Sequence, residues 1–115
     1  MKLSDFTQKN LEKNQEKQTA IFSALSDPTR LKIIKLLGRS SKSNALCVMA
    51  VAHILGISQS AVSQHLRVLK SAGLVKGERR GYRVHYFINP ESFDYILKSI
   101  QEIYVSPQKK GKPNG

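Results

Sequence analysis

Residues 8–19 (QKNLEKNQEKQT) are almost wholly polar, and the pattern changes to AIFSAL at Ala20. Ile21, Phe22 and Leu25 can share one helical face, so a first helix is expected to end near Leu25, behind a solvated or frayed extension. At Ser26-Asp27-Pro28 the Asp27 carboxylate can cap a second helix whose first position, Pro28, has no N–H to leave unpaired. Leu31, Ile34 and Leu37 are its expected apolar stripe, Ile33 and Leu36 widen it, and Gly38 offers a stop. GRSSKSN at 38–44 is loop by composition.

The run ALCVMAVAHIL at 45–55 suits a strand or a buried helix, and periodicity alone does not separate them. The residues beyond it favour a helix. Gly56 suits a helix C-terminus, Ser58 an N-cap, and Gln59 to Ala72 a helix of about four turns stopped at Gly73. Helix, tight turn and helix in this order form a helix-turn-helix, whose second helix enters the DNA major groove. Leu74–Lys76 and Arg83–Ile88 flank GERRGY as a hairpin with a charged tip, the wing. Asn89-Pro90 then opens a last helix. The expected fold is mainly α with a small β-hairpin (α+β): a winged helix-turn-helix of about five helices plus a two-stranded wing. Residues 1–17 are expected as a polar extension or frayed helix, 18–105 as the domain with its C-terminal dimerisation helix, and 106–115 as a disordered basic tail.

Charge narrows the partner. Nineteen Lys and Arg against eight Asp and Glu give +11 at neutral pH, which points to a polyanion. The bases concentrate in 26–90, whereas 91–105 is acidic on balance, unlike a basic amphipathic membrane helix. No run approaches the roughly 18 apolar residues that span a bilayer, and no apolar leader opens the chain. Cytoplasmic localisation is expected, and the single Cys47 agrees with a reducing compartment. No nucleophile with its base, no phosphate-cradling loop and no carboxylate pair suggests an enzyme or a cofactor.

On the helix at 58–72, Val62, Leu66 and Leu69 fall in one narrow arc, while Ser60, Ser63, Gln64, Arg67 and Ser71 cluster opposite. Gln can pair in a bidentate manner with adenine, Arg with guanine, and Ser with a base or a phosphate. The expected DNA-contacting set is Ser58, Gln59, Ser60, Ser63, Gln64, His65, Arg67 and Lys70, joined by Lys76, Arg79, Arg80 and Arg83 of the wing. His65 stands at the edge of the buried arc, where packing is as good a reading as phosphate contact. Tyr82 and Tyr86 make no aromatic cluster of the RNA-binding kind, so double-stranded DNA is preferred. Cys47 and His53 differ by about 120° around their helix and do not converge on a metal, and His85 is expected apart from both. Cys47 reads as a buried core residue ahead of a sensor thiol.

Four stretches together resemble the ArsR/SmtB family of winged-helix repressors: ALSDPTRLKIIKLL at 24–37, ALCVMAVAHILGIS at 45–58, SQSAVSQHLRVLKSAGLV at 58–75 and GERRGYRVHYFIN at 77–89. The resemblance implies a homodimer on an imperfect inverted repeat, commonly as a repressor, with the first and last helices as its interface. Ile21, Phe22, Phe93, Ile96, Leu97, Ile100, Ile103 and Tyr104 are the residues expected there. The alternative for that apolar stripe is packing on its own domain, or docking of another protein in an adaptor. The family's arsenic, cadmium and lead sensors begin the third helix with Cys-Val-Cys; here Cys47-Val48-Met49 stands in its place. Its zinc and nickel sensors set Asp and His on the last helix, where this chain has Glu91, Asp94 and Glu102 but no His. The expectation is therefore a regulator without a metal site, its small-molecule or redox inducer unspecified.

Overall fold

Asp27 has extended backbone and its carboxylate accepts from the Arg30 amide at 3.0 Å, which starts α3 (Pro28–Gly38) as the Asp-Pro pair predicts. This computed structural model describes residues 3–105 and Pro107; most of the tail at 106–115 lies outside the described residues. Ahead of α3 the polar stretch is helical in two pieces, α1 (Gln8–Glu12) and α2 (Gln15–Leu25). They are separated at Asn14, whose φ of 63° lies in the left-handed region that Asn tolerates. Residues 15–17, expected as extension or frayed helix, are the first turn of α2.

The run at 45–55 is both strand and helix. Leu46–Cys47 forms β1, and Val48–Leu55 forms α4. α5 (Gln59–Ser71), β2 (Val75–Arg80), β3 (Arg83–Ile88) and α6 (Pro90–Ile103) complete the chain of elements. Among the described residues the sheet thus has three antiparallel strands in the order β1-β3-β2, with β1 added to the expected two-stranded wing, and six α-helices stand where about five were expected. Leu46 pairs with Tyr86 and Cys47 with His85. A two-residue strand has no alternation to betray it; it exists because β3 offers it a free edge.

The core lies between one face of this sheet and α2–α5, built on Ile33, Leu37, Val51, Val62, Leu66, Leu69 and Leu74, all essentially inaccessible. The face of α3 is turned from the expected one: Ile33, Ile34 and Leu37 are buried and Leu31 is 38% exposed. Arg30 explains the rotation. It heads the inward row (30, 34, 37), and its Nε donates to the Ala24 carbonyl at 2.7 Å, its Nη2 to that of Ser23 at 3.4 Å, satisfying the end of α2. Gly38 is the last helical residue and not a left-handed stop; the Arg39 and Ser40 amides close the helix on Leu36 and Leu37.

α6 is tied back to the end of α5 by Asn89, whose side-chain amide donates to the Gly73 carbonyl at 2.9 Å and whose backbone amide donates to that of Leu74 at 3.0 Å. Its expected interface stripe splits in two. Ile96 is buried and Phe93 half-buried against the chain's own core, whereas Leu97, Ile100, Ile103 and Tyr104 are between 49% and 68% exposed. Ile21 on α2 is likewise a core residue, 2% exposed, and Phe22 beside it is half-buried.

The two leucines of α3 separate these packing assignments by denaturant unfolding at one protein concentration. Leu37→Ala is expected to cost about 2–5 kcal/mol through cavity formation, and Leu31→Ala less than about 1 kcal/mol.

Candidate nucleic-acid interface

The turn before α5 is set by Gly56, whose φ of 68° lets its own amide and that of Ile57 reach the Ala52 carbonyl, at 2.8 and 3.2 Å. Two residues later the Ser58 hydroxyl accepts from the Ala61 amide at 3.1 Å and begins α5. With Val62, Leu66 and Leu69 buried, rotation about the helix axis is fixed. Ser58, Gln59, Ser60, Ser63, Gln64, Arg67, Lys70 and Ser71 are all exposed as a consequence. Val68, 40% exposed, belongs to the solvent side too.

His65 does not join that face. It is half-buried, with Nδ1 3.9 Å from the Asp27 carboxylate, so it turns toward the start of α3. The Arg30 backbone amide holds the Asp27 carboxyl below its ordinary range; desolvation opposes it in part, and the Arg30 and His65 charges add smaller lowering effects.

The wing is tighter than its sequence suggested. The ladder runs to the Arg80–Arg83 pair, and only Gly81-Tyr82 form the turn, Gly81 at φ 69°. Alternation places Val75, Gly77 and Arg79 of β2 with Val84, Tyr86 and Ile88 of β3 on the face toward the helices. A Cβ on Gly77 would stand 2.9 Å from Val84 Cγ1 and 3.1 Å from the Tyr86 ring, so the missing side chain is what admits Tyr86. Lys76, Glu78, Arg80, Arg83, His85 and Phe87 share the outer face.

The four wing cations are therefore not one cluster. Arg79 and Arg83 are exposed near the tip, with Arg83 5.9 Å from the ring of the exposed Tyr82. Arg80 is engaged: Nε donates to Glu78 at 3.0 Å, and Nη2 lies 2.9 Å from the same carboxylate and donates to the Lys42 carbonyl at 2.7 Å. The hydrogen bond from Arg80 lowers the pKa of Glu78. Lys76 lies three residues below Arg79, roughly 10 Å toward the base of the hairpin.

Between α5 and the wing opens a cleft of about 310 Å3, lined by Cys47, Val48, Met49, Gln59, Arg83, Val84 and Tyr86. Cys47 is half-exposed here, not a core residue, and directly opposes His85 across the β1–β3 pair, where the two were expected apart. His85 Nδ1 is buried without a hydrogen-bond partner. Among the described residues no three of His, Cys, Asp and Glu converge as metal ligands. Among the described residues no helix is long and apolar enough to cross a membrane.

The family model for bacterial regulatory proteins of the arsR family matches residues 27–76, which run from the cap of α3 to the first residues of β2. An uncharacterized HTH-type transcriptional regulator of Methanocaldococcus jannaschii is 38% identical over 76% of this chain and 96% of its own length. The arsenical resistance operon repressor of Escherichia coli is 36% identical over 78% of this chain and 74% of its own. Against several other curated relatives the chain spans about three-fifths of their length. Among solved structures, a homodimeric winged helix-turn-helix DNA-binding domain from Mycobacterium bovis superposes with a TM-score of 0.63, at 23% identity, over 90% of this chain and 98% of its own.

Because the folded Asp27 carboxyl is held below its unfolded value, its contribution is present above the unfolded pKa and lost as pH falls through the folded one. Wild type is expected to lose stability relative to Asp27→Asn on acidification, since Asn caps equally well and does not titrate. Thermal unfolding of both proteins across that pH range checks this; parallel curves would remove Asp27 from the acid response.

Proposed function

The chain belongs to the ArsR family of bacterial regulatory proteins, and from that premise we propose that it represses transcription as a homodimer bound to an inverted-repeat DNA operator. The observation that carries the reading is the exposed polar face of α5, aimed by a buried ridge and standing beside a wing with Arg79 and Arg83 exposed near its tip. Gln64 and Arg67 read base edges in the major groove; Ser58, Gln59, Ser60, Ser63 and Lys70 position the helix on phosphates and neighbouring bases. Arg79 and Arg83 follow the backbone or enter the minor groove. Arg80 acts through the wing's position, and His65 through Asp27.

The dimer reading draws on the exposed half of the α6 stripe, Leu97, Ile100, Ile103 and Tyr104, with Phe22 and Phe93 at its margin. A two-fold pair of such chains presents two recognition helices to two half-sites. An adaptor use of the same face predicts a monomer in sedimentation with no affinity for duplex DNA.

A second reading is favoured by one observation: Cys47 opposes His85 and lines the cleft that Gln59 and Arg83 share. In it, the Cys47 sulfur attacks a peroxide oxygen, the O–O bond breaks, the departing hydroxide takes up the thiol proton and leaves as water, and the resulting sulfenic acid alters the cleft. Cys47→Ser is expected to abolish an oxidant response and leave DNA binding intact; a wild type indifferent to peroxide ends this reading.

On DNA, Gln64→Ala and Arg67→Ala are each expected to relax base preference by about 1–3 kcal/mol. Arg83→Ala is expected to weaken binding evenly across sequences and reduce the salt slope by about one. Binding titrations on the chain's own promoter and on scrambled duplexes, at several salt concentrations, measure both. Equal affinity for every duplex would overturn sequence-specific regulation.

A further inference from the structure

The base of the wing carries a cavity away from α5 and the wing tip. It measures about 410 Å3 and is lined by Ser40, Lys42, Lys76, Phe87, Ile88 and Pro90. That volume is in the range of small-molecule pockets. Its floor is apolar, with Phe87 and Ile88 half-buried. The Lys42 ammonium stands over the Phe87 ring, 5.2 Å from its centroid, and Lys76 is the cross-strand partner of Phe87 on the same face. Glu78 is the only acid in the two wing strands, and Arg80 occupies its carboxylate.

An aromatic side chain in a cavity lined by two lysines suits a flat ring bearing a negative charge. The ligand ring takes the place of the Lys42 ammonium over Phe87, and that ammonium moves onto the anion, within the same cavity as Lys76. We propose that this cavity binds a small aromatic carboxylate and that its occupancy is felt at the wing. The connection is Lys42 itself. Its side chain borders the cavity, while its carbonyl accepts from Arg80 Nη2 at 2.7 Å. Lys42 begins a single 3-10 turn (Lys42–Asn44) capped by the Ser41 hydroxyl, which accepts from the Asn44 amide at 3.3 Å. Drawing the Lys42 ammonium onto a bound anion loads this turn, and with it the bond that holds Arg80 and the wing tip in place. The consequence for DNA rests on the regulator reading; the binding itself does not.

The test titrates 1-naphthoate into the isotopically labelled full chain, without DNA, and follows amide chemical shifts. Saturable shifts are expected at Ser40, Lys42, Lys76, Phe87 and Ile88. Lys42→Gln with Lys76→Gln is expected to weaken binding by about tenfold or more, and the neutral 1-naphthalenemethanol to give no saturation. No saturable shift, shifts centred on Leu97 to Tyr104, or an undiminished double variant each overturns the site. In a second arm, saturating naphthoate is expected to change the DNA affinity of wild type by about threefold or more, and that of Lys42→Gln not at all. An unchanged affinity with the cavity filled overturns the coupling. If ligand-free wild type shows no preference among duplexes, the regulator reading fails, and the titration still decides the site.

Discussion

The buried ridge of Val62, Leu66 and Leu69 is the constraint on which the rest depends. A helix of about thirteen residues can roll about its axis at little local cost, and a roll of one position, about 100°, would carry Gln64 and Arg67 off the outward face. Locking three consecutive ridge positions at essentially zero exposure forbids this roll. The cap at Ser58 and the left-handed Gly56 then fix where the helix begins, so direction and phase are set by groups that need never touch DNA. Packing thereby acts as the positioning device for a polar face that has no internal partner to hold it.

The same logic explains what could be read from the chain in advance. α5 was legible because its period, its N-cap and its glycine stops are all local in sequence, and the Asp-Pro start of α3 was legible for the same reason. Leu31 was misplaced because the inward row of α3 begins with a charged residue, and nothing local says that Arg30 caps the helix before it. β1 was invisible because two residues carry no pattern; its pairing with β3 spans about forty residues of chain. The Cys47–His85 juxtaposition was lost with it. Arg80 looked like a free cation at a charged tip until the Lys42 carbonyl, thirty-eight residues away, was found beneath it.

Those errors share a consequence for electrostatics. A net charge of +11 invites the view that every exposed base faces the polyanion. Arg30 and Arg80 instead satisfy carbonyls at a helix end and a loop, and Lys17 lies 4.1 Å from the centre of the Tyr95 ring. With the Debye length near 8 Å at physiological salt, long-range charge attracts the partner, but only bases close to the phosphates contribute to the bound state. Affinity then depends on which cations remain uncommitted on the DNA side, and that is decided by tertiary structure.

The proposed dimer faces the complementary difficulty, since two copies of a strongly basic chain must approach one another. The same screening makes this a local problem, governed by charges within about a Debye length of the contact. α6 carries Glu91, Asp94 and Glu102 against Lys98 alone, and is the helix on which acids outnumber bases most. One of its acids, Glu102, also accepts from Gln18 at 2.9 Å and holds α6 against α2. The exposed apolar half of α6 is thus embedded in the least repulsive part of the molecule. Concentrating bases on the helix-turn-helix and wing, and acids on α6, separates the surface that must attract a polyanion from the one that must tolerate an identical neighbour.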